Sequence, residues 1–407
     1  MDDQGKLTLP PEAVKRFGLI PGSSFEIEEL DQKLYLHSPN SFLRRINIEP
    51  TNQCNLGCLT CMRNVWNEPA GWMSQSTFSK ILSDLQEFTP SPLIYFGGYG
   101  EPFSHPEILS MLQQAKSSGA SVEIITNATL LDEETIRALC QIGINRLWVS
   151  IDGATPASYA DIRLGDALPG VIASLEFLAK HKANFGLTEP HVGIAFVAMR
   201  RNIADLPAVI KLGASLGADK FSISNVLAHT PELRQEILYE TALDLGAQRT
   251  TENFPMINLP RLDFTPEARE TLLQLLGGPY RLTTENQSLV PAVRLCPFVE
   301  DGSLSIRWDG AVSPCPPLLH THTHFLENHP RLSKAFSVGD LMQQSLKEIW
   351  FSQAYLELRG ILHDFDFSPC ATCNACEMSQ QNLEDCLGNL HPTCGGCLWA
   401  QGLIKCP

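Results

Sequence analysis

Short apolar segments alternate with helical segments from residue 45 to residue 235, and this alternation is the strongest constraint on the fold. Each apolar run is bounded by Gly, Asn or Asp, as buried parallel strands usually are. The runs lie at 45–49, 92–96, 122–125, 146–151, 193–197 and 220–223. The segments between them have helical spacing, and two of them, starting at 132 and 205, end in Gly. About six β/α units follow, so we predict an α/β fold of TIM type whose barrel is partial because it has six strands rather than eight.

The overall charge limits the class of partner. The chain has 30 basic and 45 acidic side chains and a formal net charge of −15. Binding to nucleic acid requires clustered Lys and Arg, so we expect no nucleic-acid partner. The sequence has no export signal at its start and no long apolar run, so we expect a cytoplasmic protein without membrane spans. Thiols stay reduced there, and the thirteen cysteines are therefore expected to bind metal rather than to form disulfides.

Changes in composition divide the chain into four predicted units: a small β module at 1–44, the barrel at 45–235, a connector at 236–295 and a cysteine-rich domain at 296–407. In the first unit two alternating segments flank a short helix, with a turn at Pro21-Gly22. This module is similar to the AbrB-like swapped hairpin, whose familiar members are dimeric DNA-binding regulators. Residues 1–40 carry four basic and seven acidic side chains, so we predict docking or homodimer formation rather than DNA binding.

Three thiols stand directly after the first predicted strand. Cys54, Cys58 and Cys61 form a C-x3-C-x2-C pattern in a loop that contains Gly. Three thiolates leave one iron of a [4Fe–4S] cube without a protein ligand, and that iron can bind a substrate or cofactor. Zinc is the alternative, but a structural zinc site needs a fourth ligand and no His or Cys follows closely enough to supply one.

This pattern after the first strand of a partial barrel resembles the signature of the radical S-adenosylmethionine (SAM) superfamily. The resemblance implies that the cluster binds SAM and, when reduced, cleaves it to methionine and a 5′-deoxyadenosyl radical. The segment Gly97-Gly98-Tyr99-Gly100-Glu101-Pro102 looks like the GGE segment of that family, where glycines allow close approach to the methionine ammonium. A simple β-turn is the alternative interpretation.

Further resemblance lies at the ends of later strands, where ligand contacts belong in a parallel barrel. Asn127 ends the third strand, and Ser150 and Asp152 belong to a segment like the SIDG motif near the SAM ribose. Arg163 resembles the arginine that pairs with the SAM carboxylate, with a surface salt bridge as its alternative role. The implied cofactor-binding residues are Gly97, Gly98, Gly100, Glu101, Asn127, Ser150, Asp152 and Arg163. Cys140 has helical spacing with apolar residues and is interpreted as a buried structural thiol.

The second cysteine-rich region begins with a C-x13-G-x4-C pattern from Cys296 to Cys315. The residues between them alternate as a hairpin with Asp309-Gly310 at the turn, which brings the two thiols to one edge. The hairpin and tail resemble the SPASM extension of radical SAM enzymes, which carries one or two auxiliary [4Fe–4S] clusters. The implied ligands are Cys296, Cys315, Cys370, Cys373, Cys376, Cys386, Cys394, Cys397 and Cys406. The spacing departs from the usual SPASM tail, so single thiols are not assigned to clusters, and zinc remains an alternative.

The tail 382–407 is similar to one group of these enzymes, the radical SAM/SPASM maturases associated with tungsten-containing aldehyde oxidoreductases. The implied partners are a tungsten-dependent aldehyde oxidoreductase or its tungstopterin cofactor, and reduced ferredoxin or flavodoxin as electron donor. Peptide modification such as thioether formation is the alternative activity, and a zinc-bearing regulator that docks on DNA is the non-enzymatic alternative. His320, His322 and His324 alternate and could share a face, but we interpret them as part of a polar loop rather than as a metal site.

Overall fold

The computed structural model describes residues 8–11, 43–240, 296–326, 329–373 and 376–407, together with the backbone of five short strands outside these ranges. The strands are β1 (Glu26–Leu30), β2 (Lys33–His37), β3 (Arg45–Ile48), β4 (Leu93–Phe96), β5 (Val122–Thr126), β6 (Arg146–Ser150), β7 (His191–Ala198), β8 (Ala218–Asn225), β9 (Met256–Leu259), β10 (Arg281–Thr284), β11 (Gln287–Ser288), β12 (Ser303–Ile306), β13 (Ala311–Ser313), β14 (His322–Leu326), β15 (His329–Ser333) and β16 (Gly339–Asp340).

The helices of the described residues lie mainly between the strands of the barrel. They are α1 (Gln75–Leu85), α2 (Ile108–Ser117), α3 (Glu133–Ile142), α4 (Pro156–Arg163), α5 (Leu168–Phe185), α6 (Leu206–Ser215), α7 (Pro231–Arg234), α8 (Pro297–Glu300), α9 (Leu346–Trp350) and α10 (Gln353–Asp364). Their ends follow from local chemistry. In α3, for example, the side chain of Asp132 accepts a hydrogen bond from the N–H of Thr135, and Gly143 ends the helix at φ 70°. In the described residues no helix is both long and apolar enough to cross a membrane.

Six parallel strands, β3 to β8, pair in chain order within one sheet, which confirms the predicted α/β fold. In-register pairs such as Ile48 with Phe96 and Thr126 with Val149 align the carboxyl ends of these strands. One face of the sheet is closed by helices. Ile46, Ile48 and Phe96 are fully buried beneath them, and each such side chain contributes about 1.5–3 kcal/mol to folding. The other face of the sheet and the carboxyl ends of its strands are where polar residues and the candidate active site described below are located.

The same sheet continues into the cysteine-rich region. Strand β12 pairs in parallel with β3, with Ser303 opposite Arg45 and Ile306 opposite Ile48. The predicted hairpin is present, because β13 pairs antiparallel with β12 and Gly310 takes φ +96° at the turn. Strand β16 adds to β13, so the sheet has the order β16-β13-β12-β3-β4-β5-β6-β7-β8. The sheet therefore crosses the boundary that the sequence predicted at residue 296.

Two of the predicted units fall largely outside the described residues. For residues 1–44 the structure gives the backbone of the antiparallel pair β1 and β2, with Ile27 opposite Leu36. The remaining elements of the predicted AbrB-like module lie outside the described residues. In the predicted connector the structure gives the backbone of β9, β10 and β11, which form a three-stranded sheet. The boundaries 1–44, 45–235, 236–295 and 296–407 remain predictions.

Candidate active site

A cavity of about 330 Å³ lies at the carboxyl ends of the parallel strands, and most of the predicted site residues line it. This volume is within the range of small-molecule sites. The predicted residues in its wall are Cys54, Cys58, Cys61, Gly98, Gly100, Glu101, Asn127, Ser150 and Arg163. Two predicted residues are placed behind the wall. Gly97 packs against the ring of Tyr95, and Asp152 is fully buried.

The three thiols of the first cluster lie in a loop held by hydrogen bonds around them. The N–H of Cys61 donates to the carbonyl of Cys58, and the Leu56 N–H approaches the Cys54 Sγ at 3.4 Å. Asn127 Nδ2 lies 3.8 Å from Cys54 Sγ, and Arg163 Nη1 lies 3.7 Å from Cys58 Sγ. Burial raises the pKa of Cys54 and Cys61. Donors placed around sulfur favour the thiolate form, which is the form that binds iron.

Backbone conformation or close backbone contact requires glycine at two positions of the 97–102 segment, Gly98 and Gly100. Gly98 has φ +96°, which a residue with a Cβ rarely adopts. A Cβ on Gly100 would lie 2.1 Å from the carbonyl oxygen of Thr51 and 2.6 Å from that of Gln53. The segment is therefore packed directly on the chain that leads into the thiol loop.

We expect Gly100→Ala to distort this junction, because the atoms that it meets belong to the backbone and cannot rotate away. Overpacking of this kind costs about 1–3 kcal/mol, so both thermal stability and SAM affinity should fall. Melting temperature and equilibrium dialysis with SAM measure the two effects. Gly170→Ala is the matched control, since a Cβ at that helical position meets open space and Ala is the better helix former. Equal SAM affinity in both variants would contradict the expectation.

Glu101 organises the next loop rather than standing free in the cavity. Its carboxylate accepts hydrogen bonds from Phe103 N–H, from Thr126 Oγ1 at 2.7 Å and from Asn127 N–H at 2.8 Å. Burial raises the pKa of Glu101, although these three donors oppose the shift. Glu101 therefore joins the glycine segment to the end of β5 and fixes the position of Asn127.

Arg163 and Asp152 form a buried ion pair at the base of the cavity. Arg163 Nη2 lies 2.6 Å from Asp152 Oδ2, and the side chains are 11% and 0% exposed. Burial alone would lower the pKa of Arg163, but Asp152 and then Cys58 outweigh it and raise the pKa. The other oxygen of Asp152 accepts from the Val197 N–H at 2.7 Å. The pair is not the surface salt bridge considered from the sequence. Arg163 lines the cavity, and its Nε is buried and has no hydrogen-bond partner among the described residues.

The carboxyl-terminal tail forms a wall of the cavity that the sequence did not predict. Trp399, Ile404 and Lys405 line the cavity beside Ser224 and Asn225 of β8. The Lys405 N–H donates to Ser224 Oγ at 3.0 Å, and Asn225 Nδ2 donates to the carbonyl of Leu403 at 2.8 Å. Arg45 of β3 donates to the carbonyl of Pro407 at 2.7 Å. The tail thus connects the last parallel strand to the first, and it closes the open side of the partial barrel.

A buried histidine links the cysteine-rich region to the cavity. His320 lies between Glu49, at 2.8 Å, and Glu68, and its imidazole is fully buried. Glu49 also accepts from the N–H of Tyr99, which lines the cavity. Burial would lower the pKa of His320, but Glu49 and Glu68 outweigh it and raise the pKa. Sequence reasoning missed this network because its members are 252 and 271 residues apart.

We expect His320 to stabilise the fold more at low pH than at high pH. A raised folded-state pKa means that the stabilisation is complete below the unfolded value of about 6.5 and is lost as pH rises through the folded value. The difference in melting temperature between wild type and His320→Gln should therefore be largest at and below about pH 6.5 and shrink at higher pH. Glu68→Gln should reduce that pH dependence, and a difference that grows with pH would contradict the assignment.

The neighbouring histidines lie on a strand rather than in the polar loop expected from the sequence. His322 and His324 belong to β14 and are 2% and 3% exposed, with ring centroids 5.5 Å apart. They are buried because alternate residues of β14, among them His322 and His324, face the interior. The strand is also bonded to the segment after β8, since the Phe325 N–H donates to the carbonyl of Ala228. In the described part of the chain, no three His, Cys, Asp or Glu side chains converge on a point suitable for a single metal ion.

The electrostatic neighbours of the remaining cysteines divide them into two groups, and Cys373 is assigned to the second by its position three residues after Cys370. The first group is Cys296, Cys315, Cys394 and Cys397; burial and then the charges of the other three raise the pKa of Cys315 well above its ordinary value. In the second group, burial raises the pKa of Cys370, and Cys376 and Cys386 contribute to the shift. Cys373 follows Cys370 by one turn, and its N–H donates to the carbonyl of Pro369. Each group offers four thiols, the donor set that a [4Fe–4S] cube takes.

Two cysteines lie outside these groups. Cys406 belongs to the tail that closes the barrel and has Cys397 of the first group and Arg45 among its electrostatic neighbours, and its role as a cluster ligand remains a prediction. Cys140 is buried on α3 in the core between helices and sheet, as predicted for a structural thiol.

The residues of the site therefore fit the cofactors that the sequence implies, which are iron–sulfur clusters and SAM. Three thiols face a cavity that Arg163 also lines, and two further groups of cysteines lie in the cysteine-rich region. This combination defines an iron–sulfur enzyme that binds a small cofactor at the mouth of a parallel barrel.

Comparison with known proteins specifies the class. Residues 48–194 match the family model of the radical SAM superfamily, and residues 296–377 match that of SPASM, an iron–sulfur cluster-binding domain. A protein of Pyrococcus furiosus named "Tungsten-containing aldehyde ferredoxin oxidoreductase cofactor-modifying protein" is 32% identical over 370 residues, which cover 90% of this chain and 97% of that protein. The chain belongs to the radical SAM superfamily and carries its SPASM extension. Its cofactors are a [4Fe–4S] cluster, SAM and the auxiliary iron–sulfur centre of SPASM.

One further relative and one solved structure are also similar to this chain. A PqqA peptide cyclase of Streptomyces rochei is 24% identical over 335 residues, covering 80% of each chain. The crystal structure of Streptococcus suis SuiB bound to its precursor peptide SuiA matches 82% of this chain and 70% of that chain, with a TM-score of 0.52 at 16% identity. At that identity the likeness establishes the fold alone.

Proposed function

We propose that this chain is a maturase that uses SAM radical chemistry on a tungsten-containing aldehyde oxidoreductase or on its tungstopterin cofactor. The observation that carries this proposal is the match to the Pyrococcus protein, which covers 90% of this chain and nearly the full length of that relative. The proposal assigns the catalytic cluster to Cys54, Cys58 and Cys61, with the two groups of four thiols as ligands of two auxiliary clusters.

The residues of the cavity have separate tasks in this proposal. Cys54, Cys58 and Cys61 bind as thiolates, with Asn127 and Arg163 beside two of the sulfurs. When bound and reduced, the cluster supplies the electron that cleaves SAM to methionine and a 5′-deoxyadenosyl radical. Arg163, which lines the cavity, receives the SAM carboxylate, while Asp152 orients the guanidinium from behind. Asp152 thus acts through Arg163, rather than on the ribose as the sequence suggested.

Other groups shape the cavity around the ligand. Gly98 and Gly100 bring the backbone close to it, and Glu101 holds Asn127 in place. Ser150 contributes a hydroxyl from the end of β6. Trp399, Ile404 and Lys405 cover the open side of the barrel and so limit the entry of water. A reactive radical requires that water be kept out of the site.

Partners follow from the same proposal. We assign reduced ferredoxin or flavodoxin as electron donor, because the catalytic cluster must be reduced before each cleavage. The N-terminal module is assigned to homodimer formation or to docking of the oxidoreductase. The strongly acidic charge argues against a nucleic-acid partner.

A second candidate is modification of a peptide. The PqqA peptide cyclase relative favours it, since that protein is similar over 80% of each chain. In that case the substrate is a peptide entering beside the tail rather than a cofactor bound to an oxidoreductase.

The test is to produce the oxidoreductase with this chain, without it, and with the Cys58→Ala variant. The maturase assignment predicts an active oxidoreductase and a changed cofactor mass only with the wild-type chain. Identical cofactor masses and activities in all three preparations would overturn it. A mass change in the oxidoreductase polypeptide, with an unchanged cofactor, would show that the chain acts on the oxidoreductase itself rather than on its cofactor.

A further inference from the structure

A single arginine lies between the two groups of four thiols. Arg331 is on β15 and is 1% exposed. It faces His324 of β14 in the register of that hairpin. A fully buried arginine normally pairs with a carboxylate, yet among the described residues no acidic side chain forms an ion pair with Arg331.

Its hydrogen bonds connect the loops that carry the two groups. Arg331 Nη1 donates to the carbonyl of Ser379, three residues after Cys376, and the Ser379 hydroxyl bonds in turn to the carbonyl of Cys376. Arg331 Nη2 reaches the carbonyl of Thr393 at 3.4 Å, directly before Cys394. One guanidinium therefore ties a loop of the second group to a loop of the first.

The charge itself also lies next to both groups. A Cβ on Gly396, within Cys394-Gly395-Gly396-Cys397, would fall 2.6 Å from Arg331 Cζ, so the guanidinium packs on that loop. On the other side it lies beside Cys370. Burial lowers the pKa of Arg331, and the thiolates that oppose this shift are Cys370, Cys394 and Cys397. These are members of both groups.

We propose that Arg331 is a shared counter-charge that raises the reduction potentials of both auxiliary clusters and matches them to each other. This rests on the assignment of each four-thiol group to one cluster. A [4Fe–4S]²⁺ cluster with four thiolates carries about −2, and accepting one electron brings it to about −3. A fixed cation nearby stabilises the reduced form more than the oxidised form, and low local dielectric strengthens the effect. Because the cation is shared, the reduction potentials of both auxiliary clusters should be higher with Arg331 than without it.

The test uses the iron-reconstituted full chain with Cys54, Cys58 and Cys61 all changed to Ala, so that only auxiliary clusters give signals. Redox titration followed by electron paramagnetic resonance gives the potential of each cluster. In Arg331→Met both potentials should fall, each by at least a tenfold change in the one-electron equilibrium constant, which corresponds to about 59 mV. Arg359→Met is the matched control, since Arg359 is equally buried but stacks on Trp350 and Tyr355. Its potentials should stay near those of the parent.

If Arg331→Met does not bind the full complement of iron, Arg331→Lys tests the proposal in its place. Lysine keeps one point charge but cannot donate to both loops at once. One auxiliary cluster should then keep its potential while the other falls. Unchanged potentials in a fully loaded Arg331→Met or Arg331→Lys protein would overturn the proposal. Failure of the Cys58→Ala oxidoreductase test would leave these potentials unaffected, so the two proposals fail independently.

Discussion

Cys58→Ala should abolish SAM cleavage. Without this thiolate the catalytic cluster loses one of its three protein ligands, and Arg163 loses the sulfur beside its Nη1. Release of 5′-deoxyadenosine by dithionite-reduced, reconstituted protein should fall more than about 100-fold, beyond the effect typical of outer residues around a metal site. Chromatographic quantification of 5′-deoxyadenosine measures it.

Cys140→Ala is the control for this variant. Cys140 lies in the core on α3 and is not in the cavity wall, so its loss should leave SAM cleavage near the wild-type rate. Unaltered cleavage by Cys58→Ala would contradict the assignment of the first thiol cluster. Equal loss in both variants would show that the effect comes from general misfolding.

Arg163→Met should reduce both stability and SAM binding. It leaves the carboxylate of Asp152 buried and without its cation, and breaking a buried pair in this way costs about 3–5 kcal/mol. The melting temperature should fall clearly, and the SAM affinity should fall with it. The double variant Arg163→Met with Asp152→Asn separates the two roles. It removes the buried charge and keeps an acceptor for the Val197 N–H.

Stability should recover in that double variant, but SAM affinity should not. Recovery of both would mean that Arg163 only neutralises Asp152 and does not contact SAM. Denaturation monitored by circular dichroism and equilibrium dialysis provide the two measurements.

Features encoded locally were predictable from the sequence. The six parallel strands follow from apolar runs of four to six residues bounded by turn residues, and the β12–β13 hairpin follows from alternation around Asp309-Gly310. The thiol loop and the glycine segment could be located because each lies directly after a strand, at the end where a parallel barrel binds ligands.

Features that depend on docking between distant segments were not predictable. The pairing of β12 with β3 and the contact of Pro407 with Arg45 join residues more than 250 positions apart, and no local pattern encodes them. Part of the polar loop expected at 320–324 is instead the buried strand β14, which pairs with β15. His320, just before that strand, is buried against Glu49 and Glu68, which are far away in sequence. The nine cysteines after residue 295 could be counted from the sequence. Their assignment to two groups, with Cys406 left over, depends on how the tail folds back and could not be predicted.

We propose that the cluster on Cys54, Cys58 and Cys61 binds SAM through an open iron in this cavity. Electron paramagnetic resonance spectra of the reduced, reconstituted protein with and without SAM test it most directly. SAM should change one cluster signal in the wild-type protein and should change none when all three cysteines are replaced by Ala. Spectra that SAM leaves unchanged in the wild-type protein, or a SAM-dependent change that persists in the triple variant, would contradict it.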